Sequence, residues 1–224
     1  MKYAHLLFLL TVCFFVSCDN ESYESGDTDL SYLYADFVMA RTAEAKQVVS
    51  AVNDDGEQIT LDSPLATEWT TTADSTYRAL LYYTYNSAED EKPHGVSLVN
   101  VPVLLPKTLA PNEADATDPV GWESAWLSAQ QPFLNLSLQM KTGVTEGIDS
   151  KQVIGIVDLG SVSNADGTTT HHLSFYHNQN DVPQYYSVRL YVSIPTEDYR
   201  SGDTIVLTVN TYNGVVERTF VVSR

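Results

Sequence analysis

From Tyr32 onward, apolar and polar residues alternate with a period of two in segment after segment, and Gly, Asn, Asp and Pro interrupt the pattern at short intervals. A strand puts successive side chains on opposite faces, whereas an amphipathic helix needs apolar residues three and four apart. The alternation therefore predicts an all-β body. Strands are expected over 34–41, 47–52, 58–61, 76–85 and 96–105, and then over 133–141, 152–159, 171–176, 185–194, 203–212 and 215–223. The first five suit a small barrel and the later six an antiparallel β-sandwich. Asn53-Asp54-Asp55-Gly56 supplies residues that tolerate positive φ in a tight hairpin, and Asn213-Gly214 fits a two-residue type I′ turn.

Between Pro106 and Pro119 the composition shifts to Pro, Ala, Asn and Asp without periodic apolar positions, which marks a junction. The expected organisation is a barrel over 32–106, a linker over 107–121 and a sandwich over 122–224. Trp122 and Trp126 come just after the junction at helical or turn spacing. Two indoles there either glue one module onto the other or offer a stacking platform for a ligand.

The chain carries 29 acidic against 12 basic residues, a formal charge of −17. A nucleic-acid binder needs a cationic face, so this balance argues against nucleic acid as a partner. Lys46, Arg41, Arg78, Lys92 and Lys107 read as cations scattered among acids. Both cysteines fall in the first eighteen positions, which leaves the β body no disulfide. Lys2 precedes the apolar run 6–16, shorter than the roughly 20 residues a membrane span requires, so the segment reads as a secretory leader over 1–17. Phe15-Val16-Ser17-Cys18 resembles a bacterial lipoprotein signal, which makes Cys18 the expected lipidated N-terminus and the membrane a partner. Residues 18–31 form an acidic, polar tether. That stretch resembles the acidic segment following the lipidated cysteine in surface-exported lipoproteins of Bacteroidetes-type bacteria, so the expected location is the outer membrane or cell surface.

Ser124-Ala125-Trp126-Leu127, then Phe133-Leu134-Asn135-Leu136, and later Leu173-Ser174-Phe175-Tyr176-His177-Asn178 with Asp181 and Tyr185-Tyr186, resemble the C-terminal domain of NigD-like lipoproteins. The resemblance implies a lipoprotein signal, an OB-like barrel and a β-sandwich in that order, covering almost the whole mature chain. The segment 128–132 and the loop from Gly143 to Lys151 depart from it. It carries across an envelope location and a name taken from a bacteriocin locus, with no catalytic residues.

His171, His172 and His177 invite a metal-site reading. On one strand His171 and His177 stand roughly 20 Å apart and His172 faces the other way, so no metal site is expected. The carboxylates Asp54-Asp55, Glu89-Asp90-Glu91, Glu197-Asp198 and Asp203 fall in predicted turns or loops, where solvated charge is the expectation. There is no Gly-x-Ser-x-Gly elbow and no glycine-rich phosphate cradle. The reading assigns no catalytic residue and no cofactor. Asp74-Ser75-Thr76 resembles an O-glycosylation acceptor at Ser75. Tyrosines alternate at Tyr82, Tyr83 and Tyr85 and at Tyr185, Tyr186 and Tyr191, and an outward row could stack on sugars. Trp122, Trp126, Tyr185 and Tyr186 are the candidate ligand-binding residues. The expected function is a lipid-anchored, non-catalytic binding or structural accessory whose partner is a glycan or another envelope protein. The alternatives are a surface carbohydrate-binding lipoprotein, a bacteriocin-associated immunity-type protein and a glycan hydrolase.

Overall fold

A computed structural model describes residues 33–85, 91–110, 115–147 and 149–223. The leader, Cys18 and the tether lie outside these residues. So do Glu89 and Asp90.

The first five strands are β1 (Tyr34–Thr42), β2 (Val48–Asn53), β3 (Gln58–Leu65), β4 (Thr76–Thr84) and β5 (His94–Asn100), joined in the order β3-β2-β1-β4-β5. The sheet curls until β3 lies beside β5. Asp62 N donates to Pro93 O at 3.0 Å, and Gly95 brings its backbone so close that a Cβ there would sit 3.0 Å from Leu61 Cδ1. One face of each strand fills the interior with Val38, Ala40, Ala51, Leu61, Leu81 and Leu98. This is the small barrel that the five alternating strands led to expect, and the OB-like one that the family resemblance implied.

The remaining strands are β6 (Pro106–Lys107), β7 (Gly121–Leu127), β8 (Phe133–Thr142), β9 (Val153–Ser163), β10 (Thr169–Asn178), β11 (Tyr186–Pro195), β12 (Thr204–Thr211) and β13 (Gly214–Val221). They form two sheets, β11-β8-β7 and β13-β12-β10-β9-β6. Leu134, Leu136 and Leu138 on β8 face Leu173 and Phe175 on β10 and Ile205, Leu207 and Val209 on β12, all buried in one core. The sandwich is antiparallel except where β10 pairs with β12 and β6 with β9.

Three local details differ from the sequence reading. Trp122 and Trp126 lie on a strand, β7, rather than on a helix or turn. The C-terminal hairpin turns through Tyr212-Asn213, and only Gly214 has positive φ, at 106°. That is a type I turn closed by a glycine bulge, not type I′, because type I′ needs positive φ at both central residues. The strand expected over 96–105 ends at Asn100 as β5, and the segment after it runs along the sandwich. Leu104 N donates to Ser193 O at 2.9 Å, β6 pairs with β9, and bridges at Thr117 and Val120 reach His177 and Thr211.

Candidate functional site

The outer face of the β11-β8-β7 sheet is where barrel and sandwich meet. On β4, Ala79, Leu81 and Tyr83 point into the barrel, so Arg78 and Leu80 point out of it; both are nevertheless buried. Arg78 reaches Asp54, at the tip of the β2–β3 hairpin, through two parallel bonds: Nη1 to Oδ1 at 2.6 Å and Nη2 to Oδ2 at 2.8 Å. From the sandwich, Ser193 Oγ accepts from Arg78 Nε at 3.0 Å and Asn135 Oδ1 from Nη2 at 2.9 Å. Asp54 Oδ2 also accepts from Ser128 Oγ at 2.7 Å and Asn135 Nδ2 at 2.9 Å. Ser193 Oγ donates to Asn135 Oδ1 at 2.7 Å, and the Phe133 ring lies 4.4 Å from the guanidinium carbon.

A charge is tolerated in such a place only when paired and hydrogen-bonded on every side, and a forked guanidinium facing a carboxylate achieves this. Aromatic packing continues the seam: Phe37 on β1 meets Trp126 and Tyr191 edge-on, both at 5.3 Å. A groove of about 260 Å³ opens beside it, lined by Asp36, Phe37, Asn53, Asp55 and Trp126 among others.

Asp54 is thus a structural ion-pair partner, not the solvated turn charge expected, and Arg78 is not a scattered surface cation. Asp203 is likewise buried. Its carboxylate accepts from the backbone N–H groups of Arg200 and Thr169, both at 2.8 Å, and these bonds hold it below the usual carboxylate range. Sequence reasoning missed Asn135 and Ser193 as well. The available signal was Arg78 inside the run Thr76–Thr84, otherwise rich in apolar residues.

Farther along the same sheet face, Glu123 occupies a bulge on β7, where Trp122 pairs with Leu138 but Ser124 pairs with Ser137. The extra residue reverses the facing of the rest of the strand: Trp122 packs on the sandwich core and Trp126 turns toward the barrel. The two tryptophans therefore share no surface. Arg189 donates to Glu123 through Nε at 2.7 Å and Nη2 at 3.0 Å, Ser137 Oγ donates at 2.6 Å, and Gln139 Nε2 at 2.7 Å. Arg189 first, then Ser137 and Gln139, pull the Glu123 pKa down to about 2.

The other predicted site residues are dispersed. Tyr185 and Tyr186 are exposed; the Tyr185 ring lies over Gly143 and its hydroxyl is 2.9 Å from Thr145 Oγ1. Ser75 is half-buried ahead of β4, its backbone N–H held by Thr42 Oγ1 at 3.0 Å. Tyr83 is buried in the barrel and donates to Asp36 Oδ2 at 2.7 Å; burial and then that carboxylate raise its pKa. β10 is continuous from Thr169 to Asn178, with His171 and His177 on the core side at opposite ends. His171 stacks on Tyr199 at 4.5 Å, with Nε2 3.5 Å from Asp203 Oδ2. Burial, then Asp158 and Asp198, push Tyr199 up to about 12. His177 is fully buried, its ring nitrogens 3.0 Å from the Asp118 carbonyl oxygen and 2.9 Å from Gln152 Oε1. Among the described residues, no three His, Cys, Asp or Glu side chains gather as a metal site.

A family model described as the NigD-like C-terminal beta sandwich domain matches residues 103–222. Among solved structures, a NigD-like immunity protein from Bacteroides caccae ATCC 43185 has a TM-score of 0.64 at 21% identity, covering 84% of this chain and 96% of its own. A candidate toxin-related protein from Parabacteroides distasonis ATCC 8503 has 0.60 at 20%, covering 85% and 93%. A candidate lipoprotein from Bacteroides fragilis NCTC 9343 has 0.54 at 13%, covering 84% and 96%. At these identities the likeness is one of fold. No curated protein matches the sequence.

Proposed function

The chain belongs to the NigD-like family, and on that premise we propose a lipid-anchored protein of the cell envelope that works by binding a partner, without catalysis. The observation that carries the reading is the seam. Asp54, Arg78, Asn135 and Ser193 direct their hydrogen bonds to one another, so the most elaborate polar cluster holds two modules together and leaves the surface for recognition. The anchor is Cys18, at the end of the short apolar run, and the acidic tether after it favours the outer membrane or cell surface. The likeness to a NigD-like immunity protein favours another protein as the partner. A glycan is the second reading, because Trp126 lines the seam groove beside Asn53 and Asp55.

Fractionation tests the anchor: Cys18→Ala should move the protein from membranes to the soluble fraction, and unchanged membrane retention sinks this part. In-cell cross-linking tests the binding role. A discrete adduct formed by the wild type should be lost when Arg78→Ala loosens the seam. If purified protein instead turns over a polysaccharide, the non-catalytic reading fails. Trp126→Ala separates the partners, since a glycan held in the seam groove would be released.

A further inference from the structure

A second groove lies where the connection out of β5 passes from β11 to the β9 edge. Its volume is about 380 Å³, in the range of small-molecule sites. Its walls are mainly aliphatic, and three of them are open to solvent: Val103 is 41% exposed, Val153 49% and Leu105 61%. Isolated exposed apolar residues are ordinary, but three around one concavity mark a binding surface. The groove has one charged lining residue, Lys107, in a chain with more than twice as many acids as bases. Among the described residues, the Lys107 ammonium has no hydrogen bond or ion pair, and the Tyr176 hydroxyl on the same wall has no hydrogen bond.

An aliphatic trough, a lone cation and a phenol with bonding capacity to spare select a narrow class of ligand. Burying an alkyl chain gains about fourfold in affinity per methylene, and a charged hydrogen bond from an ammonium to a carboxylate adds about tenfold. An alkylammonium would meet Lys107 with like charge, and a neutral alkyl chain would leave the cation unused. We propose that this groove binds a free single-chain fatty carboxylate, its tail between Leu105 and Val153 and its head group on Lys107. Gly155 forms part of the floor; a Cβ added there meets only Tyr176, at 3.8 and 4.0 Å, so a larger side chain can be introduced without backbone strain.

The test is titration of the full chain carrying Cys18→Ser, purified without detergent, with decanoate, decanol and decyltrimethylammonium, followed by calorimetry. Decanoate should bind saturably and about tenfold tighter than decanol, with the ammonium weakest. Lys107→Met should equalise decanoate and decanol while decanol binding is retained. Gly155→Leu should abolish both at an unchanged Tm. Equal binding of decanoate and decanol by the unaltered groove, or no saturable decanoate binding by folded protein, overturns the assignment. So does decanoate binding that survives both substitutions, or binding of anionic vesicles that decanoate does not compete away, which would point to a membrane surface instead.

Discussion

Arg78 shows how a single residue decides whether two modules behave as one. Removing one member of a buried, hydrogen-bonded ion pair leaves the other charge uncompensated, at a cost of about 3–5 kcal/mol. Arg78→Met should therefore lower the urea-unfolding free energy by that amount. The double variant Arg78→Met/Asp54→Asn should be less destabilised than the two single changes added together, and strict additivity in that cycle would mean the pair is not coupled. Glu123, half-buried on the same sheet face, makes a pH prediction. Its folded-state pKa, about 2, lies below the ordinary 4.5, so its stabilising contribution is complete above 4.5 and disappears as pH falls toward 2. Wild type and Glu123→Gln should thus differ in Tm at neutral pH and converge across that acid window; a difference that persists at pH 2 would assign the effect to something other than the carboxylate. Neither role was legible in the sequence. A carboxylate in an Asn-Asp-Asp-Gly turn looks solvated, and only the sandwich packed against that turn makes Asp54 half of a buried pair.

At the level of the single element, β7 is the instructive strand. Trp122 and Trp126 stand four apart, so an unbroken strand would place both indoles on one face. The bulge at Glu123 sends one into the sandwich core and the other toward Phe37 of the barrel. Deleting Glu123 should restore regular pairing and force one indole out of its packing, costing about 2 kcal/mol in denaturant unfolding with a change in tryptophan fluorescence. If stability and emission stay the same, the bulge does not set the facing. The alternation that revealed β8 so clearly had a limit of the same kind. Leucines at 134, 136 and 138 mark the inward face, but Asn135 and Ser137 are buried too, because the outer face is covered at that end. Period two reports which residues share a face and is silent on what lies over it.

For the whole molecule, the seam predicts cooperative unfolding. The barrel is the smaller module and the one nearer the size at which a core alone becomes marginal, so its stability depends on Arg78, Leu80 and Phe37 staying docked. Calorimetry of the wild type should show one transition. Arg78→Ala combined with Leu80→Asp should split it in two, the barrel melting first; two transitions in the wild type would show that the modules are energetically separate.

What the amino-acid order determined by itself is local: the positions of most strands, β7 excepted, the hairpin at Asn53–Gly56, the inward face of β12, and a small barrel with a sandwich after it. Those features come from side-chain alternation and from turn residues acting on their immediate neighbours. Only the tertiary structure decided which outward faces are covered, that Asp54 and Arg78 meet Asn135 and Ser193 across the seam, and that the stretch after β5 lies on the sandwich instead of hanging free. Those partners are separated by tens of residues, and a strand's own pattern is the same whether its polar face meets water or another module.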